Sequence, residues 1–362
     1  MPRKKRKPRE PKNAKKIQEL VDAMVQHKGF KQMAQFNLTC LAKLVCPPNT
    51  EWKENLELAV KYGGVEAVSA IINKHSGNEG LLLSATEVLK RTAQNKKLVG
   101  VVASSGALQT CLGSLAASNG TMEQGAVETT ELLDIMASNA PECMIGTGIV
   151  ESVFKVMTTY KHDDSVLASC ITALERVSRK PEGMNEIVQS NGIHTVISSL
   201  AIDNTEVGDD ANPEHLAASF SLLKRYTATG EQAVEYVRQC GGVDAVIRAL
   251  ETIEVGSDGK VMRAGGQLLT TIAGSDLEGA LAKLKDGGDV KTTLALISNL
   301  ALEAENIDTI VRALCFLFFC CYLLFVVVVF FSIYYIYDSF AYNCSCSGNF
   351  WPFSTSVSHC SC

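Results

Sequence analysis

Three arginines recur at one place along the chain. Arg91, Arg176 and Arg225 each stand two residues after a leucine, in Leu89-Lys90-Arg91, Leu174-Glu175-Arg176 and Leu223-Lys224-Arg225. A guanidinium presents a planar fork of donors that matches a carboxylate or a phosphate. A row of them, with Lys90 and Lys224 alongside, is therefore a candidate grip for an acidic or phosphorylated peptide. The same cations have a blander use, pairing with nearby acids such as Glu87 and Glu175. Other chemistry-bearing residues do not assemble. The histidines (27, 75, 162, 194, 215 and 359) never come closer than 21 residues, so no His-x-x-x-His face exists to hold zinc. Gly256-Ser257-Asp258-Gly259-Lys260 lacks the glycine spacing of a phosphate loop and the Ser or Thr after its lysine. No Cys-x-x-Cys pair occurs, and His194 and Cys240 fall in helical stretches or at their ends, where packing or surface roles dominate. Neither catalysis, a metal nor a cofactor is expected.

Composition sets the frame for these residues. The chain has 362 residues, 46% of them apolar, which suffices for a large core and excludes wholesale disorder. Its net charge of −5 conceals a partition: residues 1–16 sum to +8, residues 313–362 to −1, and the body between them to −12. Seven of the 13 cysteines lie in the last 50 residues, and the six in the body are scattered. The N-terminus is basic without the apolar stretch of a signal peptide. Free thiols in a reducing compartment, cytosolic or nuclear, are the expectation for the body.

Two markers keep one period. A glycine follows a short helical stretch and precedes an apolar run at Gly64, Gly106, Gly148, Gly192, Gly242 and Gly288, with steps of 42, 42, 44, 50 and 46 residues. Leu89, Leu133, Leu174, Leu223, Leu269 and Leu314 follow by about half a repeat, stepping by 44, 41, 49, 46 and 45. Each unit reads as three helices. Residues 184–190 form a short first helix, and Gly192 permits a sharp turn. Ile193, Val196, Ile197 and Leu200 stripe one face of a second helix. A third, bearing the leucine marker, closes the unit. No such unit buries its apolar face alone, so neighbours must stack. Acidic insertions at 203–210 and 254–259 lengthen two units and read as solvated loops.

These residues resemble the armadillo repeat family over about 33–317. The resemblance implies an all-α, right-handed solenoid of about six three-helix repeats, opened by a half-unit at Phe36–Cys46. It further implies a non-enzymatic scaffold whose third helices line a concave groove for an extended peptide or protein partner. Importin-α-like members use Trp and Asn on that helix. Here Trp52 and Trp351 lie elsewhere, and the Asn position holds Arg91, Ile135, Arg176, Arg225 and Thr271, so an import receptor is rejected. β-Catenin-like members use basic grooves, which is the role the resemblance gives to Arg91, Arg176 and Arg225.

The two ends differ from the body. Residues 1–32 read as a basic, mostly disordered segment. Its run Arg3, Lys4, Lys5, Arg6, Lys7 and Arg9 is similar to a nuclear localisation signal, and residues 3–16 suit an import receptor or anionic lipid. No basic face with interleaved aromatics supports specific nucleic-acid binding. Ala313–Tyr337 holds 25 residues without a charge, where about 20 suffice to span a bilayer as a helix. Lys and Arg stop at Arg312, which places the repeats on the cytosolic side of a single-pass tail anchor. Residues 338–362 form a Cys/Ser/aromatic tail with an acceptor sequence at Asn343. Two readings of this end stay open. It is a genuine anchor, or it is an aberrant terminus on a truncated solenoid whose body is a soluble nuclear or cytosolic adaptor.

Overall fold

A computed structural model describes residues 12–200, 212–251 and 259–273. Sixteen α-helices and one 3-10 turn fall there, with no strand among the described residues. Two helices, α1 (Ala14–Gln26) and α2 (Lys31–Val45), form a leading half-unit. Then come five three-part units. The first is α3 (Trp52–Lys61), α4 (Gly64–Lys74) and α5 (Glu79–Gln94), and the second α6 (Val99–Ser104), α7 (Ala107–Ala116) and α8 (Glu123–Asn139). The third replaces its first helix by a 3-10 turn (Pro141–Met144) before α9 (Ile149–Thr159) and α10 (Asp164–Val177). The fourth is α11 (Pro181–Gln189), α12 (Gly192–Leu200) and α13 (Pro213–Thr227). The fifth is α14 (Glu231–Gln239), α15 (Gly242–Glu251) and α16 (Gly259–Ala273).

Stacking produces two parallel rows. The third helices pack in the order α2, α5, α8, α10, α13, α16, and the second helices in the order α1, α4, α7, α9, α12, α15. The leucine marker lies at the centre of the first row: Leu89, Leu133, Leu174, Leu223 and Leu269 are all fully buried. Full burial of a leucine contributes about 1.5–3 kcal/mol, so a marker repeated in every unit binds each layer to the next.

The glycine marker turns out to combine two demands. The residue before each second helix adopts a left-handed backbone: Gly63 (φ 82°), Gly106 (69°), Gly148 (77°), Asn191 (56°) and Gly241 (77°). Those positions step by 43, 42, 43 and 50 residues, a steadier beat than the glycines alone. Asn191 fits because Asn visits this region more easily than other side chains. Gly64, Gly192 and Gly242 meet the second demand, close approach. A Cβ on Gly192 would lie 2.8 Å from the Ile187 carbonyl, and one on Gly242 2.7 Å from that of Val237.

The structure differs from expectation at the N-terminus. Residues 14–26, assigned above to a mostly disordered segment, form α1, with Ile17, Val21 and Met24 buried. The i, i+4, i+7 spacing of those three carries the helix despite the basic run before it. Among the described residues no helix is long and apolar enough to cross a membrane. The expected span at 313–337, the sixth repeat, residues 3–9 and most of both acidic insertions lie outside the described residues.

Candidate functional site

The third-helix row holds the residues singled out above. Three of its helices open on an Asx cap that fixes where they start. Asn78 Oδ1 accepts from Leu81 N at 3.0 Å, Asp163 Oδ1 from Val166 N at 3.0 Å, and Asn212 Oδ1 from Glu214 N at 2.9 Å. α8 has no side-chain cap of its own. Glu79, in the first turn of α5, supplies one from the preceding unit, accepting from Gly125 N at 2.9 Å.

Each neighbouring pair in the row is tied by a polar bridge. Gln35 on α2 donates to Ser84 Oγ on α5 at 2.9 Å. Lys90 on α5 reaches Glu131 on α8 at 2.9 Å and also pairs with Glu128. Arg176 on α10 pairs with the Asp134 carboxylate on α8 and donates to its carbonyl at 3.2 Å. Arg225 Nη2 on α13 lies 3.2 Å from Glu175 Oε1 on α10. Lys224 Nζ donates to Gln267 Oε1 on α16 at 2.7 Å. Arg91 turns along its own helix, to Glu87 at 3.1 Å and Gln94 at 3.2 Å.

All five predicted cations therefore lie on third helices, and all are partnered. The structure shows the pairing reading: each of the three arginines is in an ion pair, Arg91 with Glu87, Arg176 with Asp134 and Arg225 with Glu175. Lys90 is 12% exposed. Burial works against its charge, but the hydrogen bonds to Glu128 and Glu131 prevail and hold its pKa above the usual lysine value. Glu175 is 7% exposed. Burial would raise its pKa, yet Arg179 at 2.9 Å, Ser221 at 3.1 Å and Arg225 together keep it below the usual carboxylate value. Arg176 and Arg225 each commit one terminal nitrogen to their acids and remain half-exposed, at 27% and 40%. The rest of each guanidinium fork retains donor capacity.

The acids Glu128, Glu131 and Asp134 escaped the sequence reading because each lies about forty residues from its cation. A signal was available in the repeat register. The residue one past the leucine marker meets the residue two before the next marker three times: Lys90 with Glu131, Glu175 with Ser221, Lys224 with Gln267.

Other reactive groups sit apart from this row. The cysteines of the described residues are free, and burial pushes the Cys46 and Cys111 thiols up to about 12. His215, buried beside Ser199 Oγ at 3.4 Å, is pushed down to about 4 by desolvation. Among the described residues His194 Nδ1 lies 3.5 Å from Ser198 Oγ. A shallow depression on the second-helix side is lined by Phe154, Thr158, Asn191 and the Glu151–Lys155 pair, which is 2.8 Å apart. Among the described residues no group of His, Cys, Asp or Glu is arranged to hold a metal ion.

No family model matches the sequence, and no curated protein matches it either. Solved structures do. Computationally designed armadillo repeat proteins for modular peptide recognition are 14% identical, with a TM-score of 0.51 over 70% of this chain and 99% of theirs. Two engineered proteins match at a TM-score of 0.51. One is 16% identical over 72% of this chain and 99% of its own, the other 18% identical over 72% and 97%. At such identities the likeness concerns the fold alone: the chain has an armadillo-like repeat fold.

Proposed function

We propose that this armadillo-like solenoid is a non-enzymatic scaffold that binds an extended peptide or protein segment along its third-helix row. The observation that carries the reading is the regular row of polar bridges, one per layer, on consecutive helices, in which Arg176 and Arg225 stay part-exposed. Arg176 and Arg225 keep donors free while their charges are balanced. They therefore suit a segment's carbonyls, or a carboxylate or phosphate, in a fixed geometry rather than by bulk charge. Lys90 and Lys224 tie neighbouring helices of the row together, and Arg91 stands beside them, paired within α5. The solved neighbours designed for modular peptide recognition support the reading by analogy of fold only.

The test is selection of a random peptide library, including phosphopeptides, on the full chain. Peptides so obtained should bind Arg176→Gln at least about tenfold more weakly, the cost of one charged hydrogen bond, while Lys155→Gln on the second-helix side leaves binding unchanged. Equal affinity for both variants would remove the groove from the account.

We further propose that Ala313–Tyr337 anchors the scaffold to a membrane with the repeats on the cytosolic side. Its support is the uncharged run of 25 residues. Alkaline carbonate extraction should leave the endogenous protein in the membrane pellet. Release to the supernatant would favour a soluble nuclear or cytosolic adaptor, addressed through residues 3–9 by an import receptor.

A further inference from the structure

The first layer exposes an apolar face. Every third helix between α5 and α13 is flanked on both sides by another, whereas among the described residues α2 has such a neighbour only toward α5. Met33 and Phe36, three residues apart on α2, are neighbours on its surface, and Phe30 stands at its N-cap. Phe30, Met33 and Phe36 are 68%, 45% and 64% exposed, and Val25 at the end of α1 is 52% exposed. Four of the five large apolar side chains exposed among the described residues thus fall within twelve positions.

The face is held rigidly. Phe30 N bonds the His27 carbonyl at 3.0 Å, Ala34 N bonds that of Phe30 at 2.9 Å, and His75 Nε2 pins the Lys28 carbonyl at 2.7 Å. Phe30 moreover occupies the N-cap of α2 with no side-chain cap bond, where Ser, Thr, Asn or Asp would stabilise the helix. An exposed aromatic there works against local stability.

Charge selects the occupant. From Ala23 to Thr50 the chain has no Asp or Glu, while Lys28, Lys31 and Lys43 are all exposed. Upstream, residues 1–16 contain nine basic side chains and one acid. The acids Glu19 and Asp22 lie on α1, where Glu19 is paired with Lys15 at 3.7 Å. The exposed Glu51, Glu54 and Glu57 belong to α3 and its N-cap, which follow the C-terminal end of α2, and Asn13 donates to Glu51 at 2.8 Å. A second copy would bring two cationic rims together. Phe30 and Phe36 could each stack a base, but Val25 and Met33 between and beside them have no π-face, so the patch as a whole fits an acyl boundary better than a stacked strand. An anionic bilayer satisfies both features, taking apolar side chains at the headgroup boundary and lysines at its phosphates.

We propose that this cation-rimmed end face, Val25, Phe30, Met33 and Phe36 with Lys28 and Lys31, docks on an anionic lipid membrane. The surface is separate from the third-helix row and does not depend on the peptide-binding reading. Its test is binding of the full chain to phosphatidylcholine vesicles with and without phosphatidylserine. Phe30→Ser/Phe36→Ser should lower the partition coefficient on the anionic vesicles by about tenfold or more. Lys28→Gln/Lys31→Gln should shrink the gain that phosphatidylserine brings, and Val188→Ser on α11 should change nothing. The uncharged segment 313–337 is common to all variants, so a local readout is added. The F36W indole should shift to the blue and be quenched by brominated lipid on anionic vesicles only. Unchanged partition and an unquenched indole would overturn the proposal. So would sedimentation showing that the two phenylalanines hold a dimer and vesicle binding does not depend on them.

Discussion

Arg225 Nη2 lies 3.2 Å from Glu175 Oε1, fifty residues apart in sequence and one layer apart in the fold. The pair shows how the row is built. Glu175 is nearly buried, and its charge is tolerated because Arg179 and Ser221 join Arg225 around it. Removing a partner from a buried carboxylate costs more than the pair itself contributes.

Arg225→Ala should therefore lower stability by about 1–2 kcal/mol, after allowance for the solvent that screens its half-exposed side chain. Arg179→Ala, at a 61% exposed position, should cost less. Urea denaturation monitored by circular dichroism checks the order, and equal losses would contradict it.

Acid should destabilise the fold through His215. Its folded pKa of about 4 lies below the ordinary 6.5 because burial penalises the charged ring. The unfolded chain thus binds a proton that the folded chain refuses between those values. Stability is complete above pH 6.5 and falls toward pH 4, by about 3 kcal/mol in all. His215→Gln should flatten that segment of the stability–pH curve, and an unchanged slope would assign it elsewhere. Glu175 acts in the same direction at lower pH, since its depressed folded pKa yields stability that is lost as protonation proceeds through it.

The turn into α12 separates the two glycine demands. A Cβ on Gly192 would lie 2.1 Å from Phe154 Cζ and 2.8 Å from the Ile187 carbonyl. Gly192→Ala should cost about 1–3 kcal/mol by overpacking. Asn191→Gly relieves a positive φ but loses the bond from Tyr236 Oη at 3.0 Å, so it should stay within about 1 kcal/mol of the parent. Thermal melts of the two variants decide, and the reverse order would contradict the assignment.

The repeat was legible because burial recurs. Leu89, Leu133, Leu174, Leu223 and Leu269 each meet the same environment, so residue type follows position. Glycine misled by one residue, since Gly64, Gly192 and Gly242 relieve crowding while Gly63, Gly106, Gly148 and Gly241 supply a left-handed turn. The polar bridges were half legible: an intrahelical pair such as Arg91–Glu87 is visible as a four-residue spacing. Arg176–Asp134 joins consecutive layers and needs the repeat register to be seen. α1 was hidden by composition, because the lysines around it masked the spacing of Ile17, Val21 and Met24. In the third unit Pro141 opens a 3-10 turn in place of a full first helix, a shortening that the period alone does not disclose.

The most direct measurement is hydrogen exchange of the full chain with and without a peptide selected on it. The account predicts slowed exchange along α8, α10 and α13, with α7, α9 and α12 unchanged. Slowing confined to the second helices, or absent from both rows at saturating peptide, would contradict binding along the third-helix row.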